Sequence, residues 1–484
     1  MRVLFLPVLT LALAACMGNE PAGTSSGSTA PASGPSVLTQ ESLMSAVSGG
    51  PTPLGLGCGW VAASDADKAN IAFPDSAAKY WVAAAPVTPG TRVRIDGRFP
   101  DARYFSFNAY DLALRPTDAI ADVELAPDGG ATNPFVNGGA AGGAYTAYLK
   151  HGASPTQNPE VSREPNTFYA GEVKVGPLPV PNSGVVLFIY RIYVSAAGQF
   201  GDGGVGLPKL SIETADGSRN LGALPDCAEP LLPNLGGALP ALGLNERLLA
   251  LDYPNALALD FPTATYPPRT NKFYGLGEVA TQILDARTGI ALPTPGNVSL
   301  GGGGFLSNIH NAYTTTTFAR RYGSLALVRA KAPTYRSQPG VARGEENLRY
   351  WSLCGNEFAT QRYTDCAADY QTPLDNEGYF TVVLSDPADR PANATAENGF
   401  LWLPWGPYPD QVLIYRHMLE NPAFAQAIQR VNKQSPLVNQ MGPFTPVGTY
   451  CNPAVFTQAN QAKAVFEQCL ADQQANPPVQ VAKR

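Results

Sequence analysis

The sequence predicts a mainly β protein, built as two tandem antiparallel β-sandwich (jelly-roll-like) domains with a short helical C-terminal tail. Glycine (48) and proline (45) together make about 19% of the 484 residues, against a usual value of roughly 12%. Short runs of Val, Ile, Phe, Tyr and Thr lie between these breakers and favour strands. In addition, segments of the first half recur in the second, and a duplicated sandwich is the simplest architecture for such a chain.

The strand predictions are placed where β-branched and aromatic residues form short runs. They cover residues 91–95, 104–110, 145–149, 185–194, 325–330, 349–354, 379–384 and 412–415. Their number and regular spacing favour a sheet protein over a helical one.

Two helices are predicted near the C-terminus. Each begins with asparagine followed by proline, Asn421-Pro422 and Asn452-Pro453, which suits a capping residue before the first helical position. Apolar residues then continue at helical spacing, through Val431 in the first helix and through Leu470 in the second.

Six cysteines follow Cys16, and an even number suggests disulfides if the chain is exported. We predict the pairs Cys58–Cys227, Cys354–Cys366 and Cys451–Cys469. The last pair conflicts with an unbroken C-terminal helix, which would separate its cysteines by about 27 Å, whereas a disulfide needs Cα atoms within roughly 7 Å. Either the helix breaks near Thr457, which we favour, or these two cysteines do not pair.

The N-terminus has the features of an export signal. Met1 and Arg2 precede a mostly apolar run that ends in Leu13-Ala14-Ala15-Cys16, and this run is too short to span a bilayer. The ending resembles the lipobox of bacterial lipoproteins, which implies cleavage before Cys16 and acylation of its thiol, for example by palmitate. The mature protein is then expected to be lipid-anchored in the cell envelope, at the outer membrane if the cell is Gram-negative. The alternative is an ordinary cleaved signal with an incidental cysteine.

The predicted organisation follows from composition. Residues 1–15 are the signal peptide, and 16–40 contain the lipidated cysteine and a Gly/Ser/Pro-rich tether. A first sandwich covers 41–230, a linker 231–250, a second sandwich 251–420, and the helical tail 421–484.

The duplication is indicated by four matches in the same order. They pair residues 91–95 with 327–330, 103–107 with 349–353, 145–149 with 380–384, and 189–191 with 414–416. In the last match a Leu-Pro pair precedes each strand, and proline and arginine are 12 positions apart in both halves, from Pro179 to Arg191 and from Pro404 to Arg416.

Trp402-Leu403-Pro404 and the strand with Arg416 carry a resemblance to a family of exported bacterial proteins of unknown function. The β-sandwich domain of that family ends in a Trp-Leu-Pro segment and a strand with Arg-x-Tyr. This chain departs from the family at Met418, where an aromatic residue is favoured, although the first half has Tyr193 there. The resemblance implies a fold and no activity.

Strand alternation places four arginines on the same face as apolar neighbours in their strands: Arg103, Arg191, Arg349 and Arg416. An unpaired buried charge costs several kcal/mol, so each must be paired or reach the strand end. Two of these guanidinium groups together could bind an anionic ligand. The alternative, which we favour, is structural ion pairing, with Asp111 or Asp410 as candidate partners.

The densest aromatic cluster contains Trp402, Trp405 and Tyr408. Flat rings on a rigid loop suit a sugar or an apolar ligand, so this segment is the best binding candidate. The alternative is that the rings plug the end of the sandwich.

The sequence indicates less about function than about fold. No metal site or cofactor is predicted, since no Cys-x2-Cys pair occurs and His151, His310 and His417 are scattered. The net charge of −6 without basic clusters gives no reason to bind nucleic acid. The leading hypothesis is a non-enzymatic lipoprotein that binds a small molecule, a glycan or an envelope component. The alternatives are a hydrolase with its active site between loops, and a structural envelope spacer.

Overall fold

The computed structural model describes residues 58–66, 70, 73–111, 115–175, 178–182, 184–198, 201–225, 264–273, 306–335, 344–357 and 362–476. The predicted leader, Cys16, the tether and the linker at 231–250 lie outside these ranges. The described chain is mainly β, as predicted.

The strands of the first half are short and separated by turns. They are β1 (Trp60–Asp65), β2 (Ala78–Val87), β3 (Thr91–Arg98), β4 (Ala102–Tyr110), β5 (Pro116–Ala121), β6 (Ala144–Lys150), β7 (Thr167–Tyr169), β8 (Glu172–Val175), β9 (Leu178–Pro181), β10 (Gly184–Ser195), β11 (Lys209–Thr214) and β12 (Asn220–Leu224). Two five-stranded sheets result, sheet I in the order β1-β2-β10-β4-β5 and sheet II in the order β12-β11-β3-β6-β7. Strands β8 and β9 form a separate hairpin.

The second half repeats this pattern. Its strands are β13 (Thr270–Phe273), β14 (Asn311–Ala319), β15 (Leu325–Lys331), β16 (Leu348–Asn356), β17 (Tyr363–Ala368), β18 (Tyr379–Ser385), β19 (Phe400–Pro404), β20 (Asp410–Glu420) and β21 (Val447–Tyr450). Sheet III has the order β13-β14-β20-β16-β17 and sheet IV the order β19-β18-β15-β21. Each of the eight predicted strands lies within one of the observed strands.

Helices are short and few among the described residues. The α-helices are α1 (Pro134–Asn137), α2 (Leu437–Met441), α3 (Pro453–Phe456) and α4 (Ala462–Ala475). The 3-10 turns are Asp122–Glu124, Arg320–Tyr322, Asp369–Gln371, Pro387–Asp389, Ala396–Asn398, Ile428–Arg430 and Gly442–Phe444. No helix in the described ranges has the length and apolarity needed to cross a bilayer.

The two sandwiches share one topology. Sheet III repeats the strand order of sheet I, and sheet IV repeats the order β7-β6-β3-β11 of sheet II. Registers agree as well, because Arg191 lies opposite Tyr80 and Ser106, while Arg416 lies opposite Tyr313 and Ser352. The four matched strand segments therefore lie on equivalent strands. The Leu-Pro pairs do not, because Leu178–Pro181 forms β9 beside β8, whereas Phe400–Pro404 forms β19 beside β18.

Each sandwich has its own core, formed by alternate residues that point between its two sheets. In the first, Phe105, Phe107 and Tyr190 are buried there, and in the second Trp351 and Tyr415. The alternate residues of β10 and β20, including both Arg191 and Arg416, face the opposite side of their sheets.

The C-terminal helix breaks, as we favoured. Helix α3 ends at Phe456 and α4 begins at Ala462, so the chain folds back and the Cα atoms of Cys451 and Cys469 come within 4.9 Å in a disulfide. Asn452 caps α3 by accepting a hydrogen bond from Ala454 N–H at 2.9 Å.

The other predicted disulfides have different outcomes. The pair Cys354–Cys366 is confirmed, with Cα atoms 4.1 Å apart and directly opposite each other on β16 and β17. Cys58 is disulfide-bonded, but Cys227 lies outside the described residues, so the pair Cys58–Cys227 remains a prediction.

The helix predicted from Asn421 to Val431 is wrong. This segment forms successive tight turns and one 3-10 turn, with Phe424 N–H bonded to Asn421 and Ala427 N–H bonded to Phe424. Ile428 N–H donates to Nδ1 of His417 at 3.2 Å instead of to a carbonyl four residues earlier. Tertiary hydrogen bonding thus replaces the helical ladder.

The boundary predicted at residue 420 is also wrong. Strand β21 pairs with β15 inside sheet IV, and Phe424, Ile428 and Met441 are buried in the second core. The second sandwich therefore continues into the segment predicted as a separate helical tail.

Candidate functional site

The two sandwiches contact each other through the outer faces of sheets I and III, and we call this contact the seam. Its apolar part consists of Ala77, Ala78, Tyr104, Ala121, Tyr193, Tyr350, Ala368 and Met418. All four predicted arginines are also buried at the seam. The face that β10 and β20 turn away from their own cores is therefore covered by the other half.

Two reciprocal ion pairs cross the seam. Arg103 of β4 pairs with Asp369 of the second half, and Arg349 of β16 donates through Nη1 to both oxygens of Asp122 in the first half at 3.1 Å. Both pairs are almost fully buried. Since Arg103 and Arg349 are equivalent, and so are the two aspartates, the arrangement has approximate twofold symmetry.

The aspartates also accept backbone hydrogen bonds within their own halves. Asp122 accepts from Phe105 N–H at 3.0 Å and Asp369 accepts from Trp351 N–H at 3.1 Å. Burial raises the pKa of Asp122, against the opposing effect of Arg349. Burial likewise raises the pKa of Asp369 to about 6, with Arg103 opposing it.

A third carboxylate at the seam, Asp75, forms an ion pair with Arg416. Arg416 donates to Asp75 and, at 2.8 Å, to Ser352 Oγ. The Asp75 carboxylate also accepts the Ser352 hydroxyl at 2.7 Å and the Tyr350 hydroxyl at 2.9 Å. The second guanidinium nitrogen of Arg416 reaches the carbonyl of Phe73 at 3.3 Å.

Arg191, the equivalent of Arg416, has a different environment. Its Nη2 donates to the carbonyl of Leu306, but Nη1 is buried and has no hydrogen-bond partner in the described part of the chain. The rings of Tyr80 and Tyr110 lie against the guanidinium, with centroids 5.5 and 5.6 Å away. Arg191 is only 2% exposed, and no ion pair joins it to a carboxylate of the described residues.

The residue at the place of Asp75 in the second half is Asn308. Asp75 lies three residues before β2 and Asn308 three residues before β14, and each accepts a backbone N–H two residues later. The Asn308 amide exchanges hydrogen bonds with the hydroxyl of Tyr104 at 3.0 and 3.3 Å. The first half thus supplies a carboxylate where the second half has an amide.

The structural interpretation of the arginines is supported for three of them, although both candidate partners were wrong. Asp111 pairs with Arg115 at 2.7 Å, and the seam carboxylates are Asp75, Asp122 and Asp369 instead of Asp111 or Asp410. Sequence reasoning missed these three residues. A usable signal was the recurrence of Ala-Asp at 121–122 and 368–369, followed two positions later by Glu124 and Gln371.

The aromatic segment does not join the arginines. Trp405 and Tyr408 are 1% and 2% exposed, and Trp405 is buried in the core of the second sandwich, on the opposite side of sheet III from Arg416. Trp402 is half-buried, with the Arg390 guanidinium 4.6 Å from its ring centroid and its own N–H donated to Ser385. The interpretation that these rings plug the sandwich fits this placement.

Among the described residues no histidine is hydrogen-bonded to a carboxylate. Nε2 of His310 lies 3.7 Å from Glu124, beyond a hydrogen bond, while its Nδ1 is 2.8 Å from the Tyr104 hydroxyl. His151 follows the end of β6, half-buried. Within the described ranges no group of three or more His, Cys, Asp or Glu side chains is placed to hold a metal ion.

We expect the stability of the second sandwich to depend on pH through His417. Burial lowers its pKa to about 3, well below the ordinary value of about 6.5. Below pH 6.5 the unfolded chain binds a proton that the folded chain excludes, so the free energy of unfolding should fall by about 1.4 kcal/mol per pH unit towards pH 3. In His417→Asn, whose amide oxygen can still accept the Ile428 N–H, this contribution disappears.

Urea denaturation of both proteins between pH 4 and 8 measures the effect. The stability difference between His417→Asn and the original protein should be constant above pH 6.5 and change steadily below it. A difference that stays constant down to pH 4 would contradict the neutral, buried state of His417.

Comparison with known proteins gives little. No protein-family model and no curated protein matches the chain. Among solved structures, an uncharacterised protein from Burkholderia cenocepacia is 14% identical with a TM-score of 0.41, and the match covers 82% of each chain. The VPA0106 protein from Vibrio parahaemolyticus is 13% identical with a TM-score of 0.34, over 79% of this chain and 92% of that one. Likenesses this distant carry no argument about function.

Proposed function

We propose that the mature chain is an exported lipoprotein that binds an anionic ligand at the seam, with Arg191 as the binding residue. One observation carries the proposal. Each of the four seam arginines leaves one nitrogen without a hydrogen bond in the described chain, but Arg103, Arg349 and Arg416 each pair with a carboxylate, whereas Arg191 has no carboxylate partner among the described residues.

The cost of this arrangement is the reason to expect a ligand. Arginine keeps its charge in proteins, so Arg191 cannot avoid the cost by losing a proton. Burial raises the pKa of Tyr80, Tyr110 and Tyr193, and these rings therefore stay neutral and supply no negative charge. An unpaired buried charge costs several kcal/mol, which a bound anion would offset through charge-assisted hydrogen bonds.

The lipid on Cys16 belongs to the same proposal, because it would hold the binding site at the cell envelope. Two or three acyl chains make such anchoring durable. Growth with a palmitate analogue should label the original protein and not Cys16→Ser. Label retained in Cys16→Ser would contradict the anchor and leave the binding proposal standing.

Binding is tested by thermal unfolding of the full chain against small anions at constant ionic strength. A ligand at 100 times its Kd adds about 2.7 kcal/mol to the free energy of unfolding, so the melting temperature should rise with at least one anion. Arg191→Met should lose this rise. In the absence of the anion it should destabilise the protein clearly less than Arg349→Met, since the Leu306 carbonyl loses a donor but no buried carboxylate loses its partner.

The matched control is Arg390→Met, which removes a guanidinium that lies over Trp402, away from the seam. It should keep the response to the anion. If no anion stabilises the original protein, or if Arg191→Met responds as well as it does, the binding proposal is wrong and the structural spacer becomes the better interpretation.

A further inference from the structure

We infer that the anion at Arg191 is a monocarboxylate, which pairs with this guanidinium as the Asp75 carboxylate pairs with Arg416. The inference rests on the proposed function and adds the chemical class of the ligand. Its basis is the internal symmetry of the seam, which places a carboxylate against Arg416 and the amide of Asn308 at the equivalent position on the Arg191 side.

The equivalence of the two sites is close. Phe73 and Leu306, whose carbonyls accept from Arg416 and Arg191, have the same unusual backbone conformation, with φ of 54° and 55°. Ser106 lies opposite Arg191 in the sheet as Ser352 lies opposite Arg416. Ser106 and Tyr104 therefore stand where Ser352 and Tyr350 contact the Asp75 carboxylate. Here the Tyr104 hydroxyl bonds Asn308 and His310, and Ser106 Oγ accepts from Asn108.

Several residues differ on the Arg191 side, including His310 in place of Ala77 and Asn108 in place of Cys354. Asn308 replaces the carboxylate of Asp75, and its amide is bonded to Tyr104. Tyr110 replaces Asn356 and places a second ring beside the guanidinium. Compared with the Arg416 side, the Arg191 side therefore lacks a negative group and has one more ring.

The charge of the seam favours a single negative charge. Arg103, Arg191, Arg349 and Arg416 face three carboxylates among the described residues of the seam. One monoanion completes the balance, whereas a dianion would leave a buried excess of negative charge. A planar carboxylate also matches the geometry of a guanidinium and a neighbouring hydroxyl, as Asp75 demonstrates with Arg416 and Ser352. Phosphate and sulfate have four oxygens, more than the donors named beside Arg191 could bond.

The decisive experiment uses acetate as the probe, with chloride and phosphate at equal ionic strength as comparisons. Acetate should raise the melting temperature of the full chain where chloride and phosphate do not, and Arg191→Met should abolish the rise. Asn308→Asp, which restores the carboxylate present in the other half, should raise the melting temperature without acetate. It should also lower the apparent affinity for acetate at least about tenfold.

The mirror substitution Asp75→Asn should create a second site of the same kind. It should lower the melting temperature, because Arg416 loses its carboxylate, and acetate should restore part of the loss. Should Asp75→Asn fail to fold, Asn308→Asp and Arg191→Met still decide the question.

The outcomes separate this inference from the proposed function. A response to chloride or phosphate, but not to acetate, that depends on Arg191 would support anion binding and overturn the carboxylate. An acetate response that is unchanged in Asn308→Asp would show that the ligand does not pair with Arg191 as Asp75 pairs with Arg416. If no anion produces a response, both proposals fall.

Discussion

Replacing Arg349 with methionine should lower the free energy of unfolding by about 3–5 kcal/mol, because the substitution leaves a buried carboxylate without its cation. Asp122 is fully buried and accepts from Arg349 with both oxygens. Methionine retains much of the length of the side chain, so lost packing contributes less than the lost charge. Urea denaturation followed by tryptophan fluorescence measures the change.

Two further variants identify the cause. Arg349→Met combined with Asp122→Asn removes both charges and keeps an acceptor for the Phe105 N–H, so it should recover part of the loss. Lys463→Met breaks an exposed ion pair with Glu377, 45% and 55% exposed, and should leave stability unchanged because exposed pairs contribute little. A loss in Arg349→Met no larger than that in Lys463→Met would contradict the structural role of the seam pairs.

Trp405→Ala should cost about 3–5 kcal/mol, the range for removing a large aromatic side chain from a core. Trp405 is 1% exposed, with the Phe318 ring 6.3 Å away and the Arg320 guanidinium 5.1 Å from its centroid. Denaturation midpoints of the variant and the original protein provide the measurement. Because this ring lies in the second core, we expect its loss to act on stability and not on anion binding.

Trp402→Ala is the control within the same segment. Because Trp402 is half-buried, its replacement should lower the free energy of unfolding by clearly less. If Trp405→Ala changes the free energy of unfolding little but abolishes the response to a ligand, the aromatic segment is the binding surface that the sequence predicted.

Taken together, these variants distinguish the three functional hypotheses. If the paired arginines affect only stability, and no anion response depends on Arg191, the structural spacer is favoured. An anion response that depends on Arg191 would favour binding. The enzyme hypothesis gains no support from His310 and Glu124, because their 3.7 Å separation is too long for proton transfer within a hydrogen bond.

Local patterns in the sequence predicted the mainly β fold, eight of the described strands and the pair Cys354–Cys366. They favoured the break before α4, and with it the pair Cys451–Cys469, over the alternative that these cysteines do not pair. These features depend on turn residues, alternation and helix geometry, which neighbouring residues determine. Alternation also placed Arg191 on the same face as Ile189 and Arg416 on the same face as Ile414. The helix at 421–431 was wrong because His417, brought close by the sheet, accepts the hydrogen bond that a helix would need.

Only the tertiary structure decided what covers that face and what pairs with its arginines. The carboxylates come from positions 266, 227 and 341 residues away from their arginines in the chain, and no local periodicity encodes such pairings. An arginine on the outer face of a sandwich normally reaches solvent. Here the second copy of the fold excludes that solvent, so a charge at the seam needs a partner from the other half or a bound counter-ion. The sequence alone determined that the two halves are related; their packing determined that Arg191 has no carboxylate among the described residues.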